Sequence, residues 1–148
     1  MSKASSMAQM IVTRLATINI ANGYATDIGV RVFRGRMNLV PEELPCVILV
    51  EGEDTVQDTK KTEVKVRQNY IVEGHDECDP SNPNDKAHLI LADLKRAIFG
   101  VDPTFGGEVR PSELQYAGRQ ISVREDGTAL VAASISINIT FVEDLANP

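Results

Sequence analysis

Apolar residues recur along this chain at two spacings: three to four residues, as on one face of a helix, and two, as on one face of a strand. Between residues 5 and 19, Met7, Met10, Ile11, Leu15 and Ile18 fall on one stripe, which predicts an amphipathic helix stopped by Asn22-Gly23. Residues 30–34 read as a short strand. Pro41 and Pro45 bracket a loop, and Cys46-Val47-Ile48-Leu49-Val50 is an unbroken apolar run, too short for a helix and rich in β-branched side chains. Such a run fits a central strand covered on both faces. Residues 52–62 hold one apolar residue besides glycine, so they read as a mobile loop or a long hairpin tip. Beyond them Val64, Val66, Tyr70 and Val72 share one face with Gln68, while Lys65, Arg67, Asn69 and Glu73 share the other with Ile71, a half-buried strand.

A second helix is signalled by Asn82 as N-cap, Pro83 in the first turn and Asp85 at the positive end of the dipole. Its stripe is Ala87, Ile90, Leu91, Leu94, Ala97 and Ile98, with Asp93 and Arg96 placed on the opposite face; Gly100 ends it and Pro103 follows. From 129 to 141 every second residue is apolar: Val131, Ala133, Ile135, Ile137, Ile139 and Phe141. Together with the preceding segment this forms a hairpin around Asp126-Gly127. A two-residue turn would set Val131 opposite Ser122 and mix the faces. A three-residue loop, Glu125-Asp126-Gly127, sets Val123 opposite Ala129 and Ile121 opposite Val131, with glycine at the left-handed position. The predicted architecture is a single α+β domain spanning 1–148, a mostly antiparallel sheet of about five strands with two helices packed on it.

Composition narrows the function classes. The net charge is −6 and no dense block of Lys or Arg appears, which argues against binding nucleic acid through its phosphates. The acidic balance aids solubility, and it also suits a surface that lets nucleic acid pass without sticking. Cys46 and Cys78 are isolated thiols without CxxC spacing, as in a reducing compartment. No apolar stretch approaches the ~20 residues needed to cross a bilayer. The first residues lead into an amphipathic segment, so no signal peptide and no membrane association are expected.

Candidate chemistry is sparse. His75-Asp76-Glu77-Cys78-Asp79, with His88 on the following helix, is the one dense group of potential metal ligands, but its spacing matches no zinc signature. Asp79-Pro80-Ser81-Asn82-Pro83 reads equally as turn and cap chemistry. Gly106-Gly107 lacks the context of a phosphate loop. Asp27, Glu42, Glu43 and Glu51 are scattered and form no acid–base pair. No catalytic residue, cofactor or metal is expected.

The order of segments resembles the tail terminator and tail-completion proteins of long-tailed bacteriophages. Four pieces carry the resemblance: the N-terminal amphipathic helix; the proline-led strand Leu44-Pro45-Cys46-Val47-Ile48-Leu49-Val50-Glu51-Gly52-Glu53; the strand followed by the helix of residues 85–99; and Phe105-Gly106-Gly107-Glu108-Val109 leading into a terminal hairpin. The resemblance implies a virion structural protein with no catalytic residues, assembled in the host cytoplasm and resident at the head–tail junction. Copies would join head-to-tail into a closed ring, usually six, by heterologous contacts. One face would dock on the last ring of tail tube protein and stop polymerisation, and the other would receive the head connector or stopper. Genomic DNA would pass through the hole without specific binding. Other head–tail joining subunits, adaptors or stoppers, are the nearest alternative, and a small metal-dependent enzyme using His75, Cys78, Asp79 and His88 is a third.

Two loops stand out as candidate assembly contacts, each of which also reads as a plain exposed connection. The first holds Asp54, Thr55, Val56, Gln57, Asp58, Lys60 and Lys61; the second, residues 101–107, holds Asp102 and Phe105. Arg14, inside the apolar stripe of the first helix, either snorkels to its edge or reaches a carboxylate of a neighbouring subunit.

Overall fold

A computed structural model describes every residue except 37 and 123–126. Helix α1 (Lys3–Leu15) comes first, then strands β1 (Val32–Arg34), β2 (Cys46–Lys60) and β3 (Glu63–Glu77), helix α2 (Pro83–Phe99), and strands β4 (Leu114–Ile121) and β5 (Leu130–Asp144). The strands form one sheet in the order β1-β2-β3-β5-β4. Every pairing is antiparallel except β1 with β2, which is parallel. The α+β class read from the sequence is the class observed.

Both helices cover one face of the sheet. α2 packs on β5 and β3, and α1 lies against α2 and the β1–β2 edge. The core between the layers takes Met7, Ile11 and Leu15 from α1, Ile90, Leu91, Leu94 and Ile98 from α2, and alternate residues of β3 and β5. Ile135, Ile137 and Ile139 are fully buried, and each contributes roughly 2 kcal/mol of apolar burial. Gly74 lets α2 approach the sheet: a Cβ there would lie 2.5 Å from Ile90 Cγ2 and 3.0 Å from Ile28 Cδ1.

The alternation of β3 and β5 is as expected. Cys46, Val47, Ile48 and Leu49 are all buried, as a strand covered on both faces requires. Val47 and Leu49 join the core under the helices, whereas Ile48 faces the other side, beside Leu39, Val40 and Leu44.

Several expectations need correction. α1 spans Lys3–Leu15 and not 5–19; Ser2 caps it by accepting from the Ser5 N–H at 3.1 Å. It stops early because Thr17 Oγ1 takes the Arg14 carbonyl at 2.7 Å and Asn19 caps a separate 3-10 turn, which Gly23 closes at φ 85°. Ile18 is buried from outside the helix. β1 is only Val32–Arg34, because Val30 ends a 3-10 turn. Asn82 does stand at the N-cap of α2, but its side chain makes no capping bond to the backbone; its amide donates to Asp85 Oδ2 at 2.6 Å. Asp93 lies not on the outer face of α2 but 4% exposed beneath residues 25–26. Residues 52–62 are no mobile loop: the hairpin alternative holds, with β2 running to Lys60.

The terminal hairpin is also offset from its expected register. Ile121 pairs with Ala133, and not with Val131. An offset of two residues keeps every side chain on its face, so the apolar pattern alone leaves the choice open. Gly127 does adopt a left-handed φ of 78°. The expected positions of Val123, Glu125 and Asp126 lie outside the described residues.

Candidate assembly surfaces

The distal half of β2 is the most exposed stretch of regular structure. Val50 is half-buried, and residues 51–60 are all exposed. β1 accompanies β2 only at Val47–Leu49, so beyond that point one edge of β2 is open. β3 continues alongside it, paired on its other side to β5 as far as Asp144. The outer strand therefore rests on a three-stranded extension of the sheet. A turn at Lys61 and Thr62 closes it, with Lys61 at φ 57°, and the Leu145 N–H bonds the Thr62 carbonyl at 2.8 Å. Asp54, Thr55, Val56, Gln57, Asp58, Lys60 and Lys61 all lie on this arm, exposed.

An open strand edge invites pairing with another strand, but this one is broken. The register shifts between Glu51 and Asp54 and again between Val56 and Asp58. Gln68 Nε2 occupies the Gly52 carbonyl at 2.6 Å, and the Asp58 carboxylate takes the Thr59 N–H at 2.9 Å. Bulges, charges and satisfied backbone groups disfavour edge-to-edge addition. Contacts made by the arm therefore run through its side chains, and at the turn these are Lys60 and Lys61. Neither has an ion-pair partner among the described residues.

Arg14, Asp102 and Phe105 come together, but within one chain. Arg14 Nη1 donates to the Asp102 carbonyl at 2.9 Å and the Ala97 carbonyl at 3.2 Å, and its guanidinium lies 4.4 Å above the Phe105 ring. Phe105 is 4% exposed, at φ 48°. The Asp102 carboxylate accepts from Thr104 Oγ1 at 2.6 Å, the Gly106 N–H at 2.8 Å and the Thr104 N–H at 2.9 Å. These donors, the Thr104 hydroxyl foremost, hold its carboxyl at about 2. The 102–106 turn thus keeps its central acceptor ionised through the neutral and mildly acidic range. Arg14 anchors this turn to α1 and α2; its donors to Ala97 and Asp102 are satisfied internally.

The face of the sheet without helices carries a network and a groove. Midway along it, Asn69 Nδ2 donates to Ser136 Oγ at 2.8 Å and to Asn138 Oδ1 at 3.1 Å, tying β3 to β5. At the end away from the arm, Leu39, Val40, Leu44, Ile48 and Leu130 line a groove of about 390 Å³ together with Glu73. Glu73 Oε1 lies 2.5 Å from His75 Nε2. The apolar residues around Pro41 are the sequence signal for this groove, yet periodicity does not reveal it, because they sit in a loop that folds back on Ile48.

The possible metal ligands separate. His75 contacts Glu73, Asp79 accepts from the Ser81 N–H and hydroxyl at 2.9 and 2.7 Å, and His88 is exposed on α2. Among the described residues no three His, Cys, Asp or Glu side chains converge on a metal position. Cys46 is buried, which pushes its thiol up to about 11, so it is a poor nucleophile near neutrality. No helix among the described residues is long and apolar enough to cross a membrane. No protein-family model and no curated protein matches the sequence.

Proposed function

We propose that this chain is a structural subunit of a phage virion, a tail terminator whose copies close into a ring of about six on the head-proximal end of the tail tube. The observation that carries the reading is the arm. A compact two-layer body extends one strand, β2, far beyond its covered half, and residues 51–60 of that strand are exposed throughout. An isolated monomer gains little from holding ten exposed residues in an open edge strand. A subunit that must reach a neighbour gains a rigid lever.

In this reading the body supplies the ring wall, and the arm bridges to the next copy or to the tube. One ring face stops tube polymerisation and the other receives the head connector. The acidic balance of the chain, −6, limits adhesion of passing DNA. Adaptor and stopper subunits share the need for head-to-tail contacts, and the assembly phenotype separates them. Phage lacking this chain will accumulate filled heads beside tails of unregulated length that fail to join. Normal virions, or headless tails of uniform, correct length, would refute the terminator role.

A further inference from the structure

We propose that the basic turn of the arm, Lys60 and Lys61, seats in the groove at the opposite end of the sheet on a second copy of this chain. The inference rests on the ring reading above and names the contact that would close it. The two surfaces are unlike and far apart on one molecule. At about 3.3 Å per residue along β3, Glu63 beside the turn is roughly 33 Å from Glu73 in the groove. Contact between unlike patches is heterologous, so repetition of it generates a ring or a filament.

Charge selects the seat. The hollow on α1 around Met10 and Phe105 includes Arg14 and no carboxylate. The hollow beside β5 has carboxylates too, but Glu108 and Glu113 are paired with Lys3 and Lys65, and Asp58, Lys60 and Glu63 of the arm itself border it. Glu73 and Asp76 line the groove, with no Lys or Arg among the described lining residues. Asp76 is engaged by Lys86 at 3.2 Å, which leaves Glu73, with His75 beside it, as the acceptor facing an incoming ammonium. The apolar wall of Leu39, Val40, Leu44 and Leu130 matches the other half of a lysine, its four-carbon stem, which packs on apolar surface while the ammonium reaches a carboxylate. The broken edge of β2 disfavours the competing mode, in which neighbouring sheets would join strand to strand.

A charge swap tests the contact. One variant carries Lys60→Glu and Lys61→Glu; the other carries Glu73→Lys and Leu130→Lys. Sedimentation velocity should find each variant monomeric at a concentration where the wild type is fully assembled, because like charges then meet at every joint. An equimolar mixture should restore the closed species with the two variants in equal number, which also establishes that both fold. Assembly of either variant alone at the wild-type level, or failure of the mixture to assemble, would overturn the contact and leave a wild-type ring standing. A wild-type chain that never leaves the monomer would sink the ring and the contact with it.

Discussion

Asp93 accepts hydrogen bonds from the Ala25 N–H at 3.1 Å, the Thr26 N–H at 2.8 Å and the Thr26 hydroxyl at 2.7 Å. It is a buried carboxylate without a cationic partner among the described residues, held by three donors that would otherwise be left unbonded. Replacing it with alanine strands those donors and should cost about 3 kcal/mol, which lowers the Tm of a chain this size by roughly 10 °C. Asparagine keeps one acceptor oxygen and should lose less. Thermal denaturation followed by circular dichroism checks both; an unchanged Tm for Asp93→Ala would mean that the 24–26 segment holds without this anchor. Helical spacing does not reveal this role. Asp93 adjoins the apolar stripe between Ile90 and Ala97, and only the return of residues 24–26 over α2 buries it. Arg14 is similar: its place in an apolar stripe marked it as unusual, but its carbonyl acceptors lie more than eighty residues away.

At the scale of elements, β2 is two strands in one. Cys46–Leu49 is buried on both faces, and residues 51–60 on neither. Native-state hydrogen exchange should divide it accordingly, with amides of 46–49 among the slowest in the molecule and the outward amides of 53–57 among the fastest. Uniform slow exchange along β2 in the monomer would show that something in the chain covers the arm. The covered half was legible from its apolar run, and α2, β3 and β5 from their periods of 3.6 and 2. The distal half was not, since Gly52-Glu53-Asp54-Thr55-Val56-Gln57-Asp58-Thr59-Lys60 has no apolar period and its turn offers Lys61-Thr62 where a two-residue hairpin favours Asn-Gly. Backbone pairing to β3 holds it in place, and β3 is fixed in turn by Val64 and Val66, only 4% and 2% exposed. The Arg34–Glu51 pair, at 2.9 and 3.0 Å but about a third exposed, contributes less than ~1 kcal/mol and does not set the register.

For the whole molecule, the body and the arm pose different physical problems. The body buries its apolar residues under two helices and is complete as a monomer. The arm and the groove, by contrast, are unlike surfaces at opposite ends of one sheet. The turn of the arm offers two lysines, and the groove offers a carboxylate with an apolar wall. Under the proposed contact, such unlike surfaces join copies head-to-tail. The most direct measurement is native mass spectrometry of the purified full chain at assembly concentration. A ring-forming subunit should appear as a closed oligomer of one defined stoichiometry, near six copies; a strict monomer, or an open series of sizes without a preferred one, would rule the ring out.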